Sequence, residues 1–155
     1  MKRTVPRIVL VLAGFLPLPL GYLMNHWFMT IWWYSVPLES ILILIGLAVL
    51  AAWIIIGWFS AKFFRSKLEP LLLLNAAAAL SIALLIVQFH IVPGFILEGL
   101  VWVSRTFISA QFFFLPIISL VNAFRMIHST LIFGCAFVLL VLASYLGVWQ
   151  GKRRG

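Results

Sequence analysis

Four stretches of mainly apolar residues, each close to the roughly 20 that a helix needs to cross the hydrocarbon core of a bilayer, leave this chain few folds to choose from. They cover about residues 8–24, 38–60, 70–92 and 129–149. In lipid a backbone amide finds no water, so a spanning segment must satisfy its own hydrogen bonds, and an isolated apolar run does so only as a helix. The expected class is an all-α integral membrane protein with four transmembrane helices, a single membrane domain over 1–155. Composition leads to the same place. The chain is 65% hydrophobic and 9% charged, against roughly 25% charged in soluble domains, and no soluble fold of this size has interior enough for it.

The first run is the least regular. Pro17 and Pro19 remove two backbone donors from its middle, which predicts a kink or a broken helix. Lys2-Arg3 followed by an apolar run from Ile8 resembles a signal peptide. However, the apolar sequence continues past Gly21 without a small-x-small cleavage site, so it is expected to stay as a span.

Basic residues then set the orientation. Lys2, Arg3 and Arg7 precede the first span, Lys62, Arg65 and Lys67 separate the second from the third, and Lys152, Arg153 and Arg154 follow the fourth. With four crossings these nine of eleven bases share one side, leaving Arg105 and Arg125 opposite. The positive-inside rule makes that side cytoplasmic, with both the N and C termini there. The expected location is a bacterial plasma membrane, with the bases touching anionic headgroups. The same apolar context argues against nucleic acid as the partner of this basic chain.

The apolar segment at about 94–124 is the main challenge to a count of four. A fifth crossing would carry Lys152-Arg153-Arg154 outside. Glu98, Arg105 and Ser109 recur at i, i+7 and i+11, one stripe of a helix, between Pro93-Gly94 and Pro116. This pattern predicts an amphipathic helix on the outer face, or a re-entrant one if protein buries it. Caps follow from similar spacing: Glu69-Pro70 suits N-cap and N1 of the third span, and Ser35, Pro37 and Glu39 suit the start of the second. Trp27, Trp32, Trp33 and Tyr34 mark the outer headgroup level, Trp58 and Trp149 the inner one.

Enzymatic constellations are lacking. The chain has no aspartate and three scattered glutamates, and no paired nucleophile and base, Gly-rich phosphate loop or zinc spacing. The expectation is a non-enzyme. Cys135, the single cysteine, sits in an apolar run and reads as a small hydrophobe. His26, His90 and His128 fall at outer span ends, with Met24 beside the first and Met126 beside the last. Imidazole with thioether suits copper or haem, although histidines also sit at interfaces simply to reach water. Asn75 and Gln88 are the polar residues most costly to leave in lipid, so they should face other helices. No charge stands at mid-span, where pumps place one.

Small residues offer faces for close helix approach: Ala76 to Ala79 and Ala83 in the third span, Ala48 and Ala52 in the second, Ala143 and Gly147 in the fourth. Taken together these features point to a non-catalytic subunit, assembly factor or immunity-type partner of a larger membrane complex, or to self-association. An oligomeric transporter for a small solute or ion, with Asn75 and Gln88 on its path, is the alternative. An outer-face metal or haem protein built on His26, His90 and His128 is the second.

Overall fold

A computed structural model describes residues 4–31, 38–88, 110–118 and 129–153, and the statements below concern those residues. They form helices α1 (Thr4–Gly14), α2 (Pro17–Ile31), α3 (Leu38–Ser60), α4 (Leu68–Ile86), α5 (110–118) and α6 (Ser129–Arg153). Four helical runs are long and apolar enough to cross a membrane: Thr4–Trp27, taken across the break between α1 and α2, then Ile43–Ser60 within α3, Leu68–Ile86 and Leu131–Arg153. The expected all-α fold, with four helices long and apolar enough to span a membrane, is therefore present among the described residues.

The first span breaks where its prolines require. Phe15 and Leu16 form a turn in which the amides of Phe15, Leu16 and Leu18 reach back three residues, to Leu12, Ala13 and Phe15. Pro17 then opens α2, and Pro19 lies in its first turn. There an amide donor has no helical partner to lose, so both prolines are accommodated without a gap in the ladder.

Two seams hold the bundle together, and both run parallel. Along the first, Gly147 of α6 lies against the carbonyl of Ile54 on α3, and Gly151 lies against that of Trp58. Both numbers rise by four, so the two helices point the same way. Along the second, Arg7 of α1 meets Glu69 of α4, and Gly14 meets the carbonyl of Leu74. A Cβ at Gly147 or at Gly14 would collide with backbone, so glycine at these points lets the helix axes come together. With little hydrophobic drive between helices in lipid, this close packing supplies much of the attraction. α4 packs against α6 and joins the two seams, whereas α1 and α3 touch only slightly. The order around the bundle is α1, α4, α6, α3, and the ring is open between α3 and α1.

Parallel seams also settle a question of connectivity. α3 and α6 run one way, α1 and α4 the other. The end of α4 and the start of α6 therefore lie at the same end of the bundle. Arg7, the turn from Ala61 to Lys67, and Lys152 with Arg153 all gather at the opposite end.

One local expectation needs correction. Glu69 is not the N-cap of the third span, nor is Pro70 at N1. α4 starts at Leu68, with Lys67 at the cap position making no side-chain bond, and the Ser66 hydroxyl accepts the Leu68 amide at 3.1 Å. Glu69 sits inside the first turn, where its charge still complements the helix dipole, and its carboxylate is turned to Arg7 instead. The cap assigned to Ser35 and Pro37 lies outside the described residues.

The α3–α6 seam carries a direct test. Gly147→Leu forces atoms into the Ile54 backbone and should lower stability in detergent by about 1–3 kcal/mol, the usual cost of overpacking. Gly134→Leu on the same helix meets nothing within 4 Å and should stay within about 0.5 kcal/mol. Equal losses in thermal or denaturant unfolding would show the seam to be misplaced.

Candidate functional site

Polar groups are scarce here, so their partners define what chemistry the bundle can do. The set at the base-rich end of the bundle is electrostatic. Arg7 donates to Glu69 through Nε at 2.7 Å, with both side chains partly open to solvent; such a pair is worth at most about 1 kcal/mol. Its geometric role is larger, because it ties the first turns of α1 and α4 together. Lys152 donates to the carbonyl of Phe64, which binds the end of α6 to the α3–α4 turn. Lys62 stands 4.3 Å from the Trp58 ring centre and Arg153 stands 3.8 Å from that of Trp149. Each is a tryptophan followed four residues later by a base, one helical turn on.

About two turns into α4 from the base-rich end, Asn75 faces inward. It is only 6% exposed, and its Nδ2 donates to the Leu71 carbonyl at 2.9 Å and to the Ser144 hydroxyl at 2.7 Å. Ser144, fully buried, donates in turn to the Val141 carbonyl at 2.8 Å. Among the described residues the Asn75 Oδ1 and the indole Nε1 of Trp53 are buried without a partner. Gln88, thirteen residues further along and so about 20 Å away along the axis, pairs instead with Gln111 of α5 at 3.3 Å. Asn75 and Gln88 thus face different neighbours at different depths.

α5 is wedged among the spans at that far end. Phe113, Phe114 and Ile117 are at most 1% exposed. Phe112 packs edge-on against Tyr22 of α2, and Phe114 against Phe133 of α6. Nothing in the aromatic composition of 112–114 distinguishes this burial from a lipid-facing run, and Gln111 gave no signal as the partner of Gln88.

Of the proposed metal ligands, Met24 and His26 fall within the described residues. They lie two apart on α2, and Met24 is 3% exposed while His26 is open. Two residues on a helix diverge by about 200°, so one ion cannot readily take both. His90, His128 and Met126 lie outside the described residues, as do Glu98, Arg105 and Ser109. Among the described residues no three His, Cys, Asp or Glu side chains gather as a metal site would require. Cys135 is half-buried in α6.

The chain matches no family model, no curated protein and no solved structure. What it does has to be read from its own geometry.

The Asn75–Ser144 bond is the polar link between α4 and α6, and a double-mutant cycle measures it. Asn75→Leu and Ser144→Ala should couple by about 0.6 kcal/mol and by no more than about 1.7, the average and the upper limit for hydrogen bonds between membrane helices. Coupling indistinguishable from zero would remove the bond from the account.

Proposed function

We propose that this chain is a non-catalytic partner of a larger membrane-protein complex, a subunit, assembly factor or immunity-type protein, rather than an enzyme or a transporter. The observation that carries this reading is the destination of the polar groups within the spans. Asn75 bonds to Ser144, Gln88 to Gln111 and Arg7 to Glu69. Among the described residues these groups serve contacts between helices of the chain, which supports a structural role over a shared route for a solute. A bundle built this way has its sides left for interaction.

One side is suited to it. The alanine run of α4 divides by face: Ala77 and Ala78 are buried, whereas Ala76, Ala79 and Ala83 are exposed. Their spacing of three and four places them on one outward stripe. Side chains this small leave room for another helix to approach the α4 backbone closely.

Placement in a bacterial plasma membrane with the base-rich end cytoplasmic completes the proposal. On that orientation α5 lies at the outer side. The burial of Phe113, Phe114 and Ile117 favours a re-entrant element over one lying flat, because a flat amphipathic helix would leave one face to lipid headgroups.

Purification in mild detergent tests the reading. A stoichiometric membrane-protein partner should accompany the wild-type chain, should be lost with Ala76→Leu together with Ala79→Leu, and should be kept with Gly134→Leu. A chain that runs alone as a stable monomer would count decisively against it.

A further inference from the structure

The open side of the helix ring is shaped. Between the broken first span and α3 runs an apolar furrow in two continuous halves. One half, of about 480 Å³, has Pro17 and Leu20 on one wall and Val49 and Trp53 on the other. The second, of about 460 Å³, lies nearer the base-rich end, with Val9 and Ala13 opposite Phe59 and Phe64. Ile56 lines both, so the halves join. Along α3 the furrow extends from Ile45 to Ser60 and beyond, more than about 20 Å at 1.5 Å per residue. That exceeds the depth of one leaflet, about 15 Å.

Charge at the mouth selects among occupants. The Lys62 ammonium stands 5.7 Å from the ring centre of Phe59, a wall residue. The Lys152 ammonium donates to the carbonyl of Phe64, another wall residue. Glu69, the carboxylate described at this end, is engaged by Arg7. Among the described residues neither lysine has a carboxylate partner. A partner helix laid in the furrow would fill its apolar walls but would bring nothing to these two charges. An amphiphile with an apolar tail and an anionic head satisfies both.

We propose that the furrow is a binding site for an anionic phospholipid, with one acyl chain between α1–α2 and α3 and the phosphate drawn to Lys62 and Lys152. The site does not depend on the chain having a protein partner. It is distinct from the outward alanine stripe of α4.

Native mass spectrometry of the detergent-purified full chain tests this, with phosphatidylglycerol and phosphatidylcholine of identical acyl chains as probes. One phosphatidylglycerol should be retained, in roughly 30-fold preference over phosphatidylcholine, as two bases near a phosphate imply at about 1 kcal/mol each. Lys62→Gln should cut that preference roughly fivefold. Ala52→Phe, which projects a ring into the furrow from an exposed lining position, should lose both lipids. Equal retention of the two lipids, no adduct, a dimer in place of a lipid adduct, or wild-type retention by Ala52→Phe would each overturn the proposal. Should Ala52→Phe fail to fold, an unchanged preference in Lys62→Gln is sufficient to overturn it.

Discussion

The approach of α6 to α3 at Gly147 and Gly151 is the contact from which the rest of the architecture follows. Two helices can come this close only where side chains are absent, and in lipid that closeness is itself the attraction. Because the contact is parallel, it fixes the direction of two spans at once. The parallel contact of α1 with α4 fixes the other two. What remains is a bundle in which Arg7, the bases of the turn from Ala61 to Lys67, Lys152 and Arg153 gather at one end, and α5 is held among the spans at the other.

The same constraint shapes the treatment of polar groups. A polar side chain in hydrocarbon must find a partner or carry a penalty of several kcal/mol. Asn75 and Ser144 find each other across the α4–α6 contact, and Gln88 finds Gln111. The interior therefore reads as structural. The outward features differ in kind: small alanines on α4, and an apolar furrow with an anion-seeking mouth beside α3. Both suit a protein that works at its sides.

Much of this was legible in the sequence. Apolar run length gave four spans, and the prolines at 17 and 19 located the break to within two residues. Trp58 and Trp149 read as markers of the inner headgroup level, whereas the base that each meets four residues later required the structure. The glycine seam was half visible. Gly147 was noted for its small size, but the Gly-x-x-x-Gly spacing to Gly151 and its partner on α3 required the packing. Glu69 was misread as a cap because an acid before proline fits that pattern locally, whereas its partner Arg7 is 62 residues away. Asn75 was expected to face a helix, but which helix depends on rotation about the axis, and α4 is apolar nearly all round. The burial of α5 was illegible for a related reason, since lipid and protein interior favour the same residues at positions 112–114.

The central claim is that an even number of crossings places both ends of the bundle's base-rich face on one side of the membrane. Cysteine accessibility in a Cys135→Ser background measures this most directly, with single cysteines introduced as Tyr34→Cys, Ser66→Cys and Gly155→Cys. With a membrane-impermeant maleimide on intact cells, position 34 should label, and positions 66 and 155 should label only after permeabilisation. Labelling of position 155 in intact cells while 66 stays protected would require an odd number of crossings and would contradict the account.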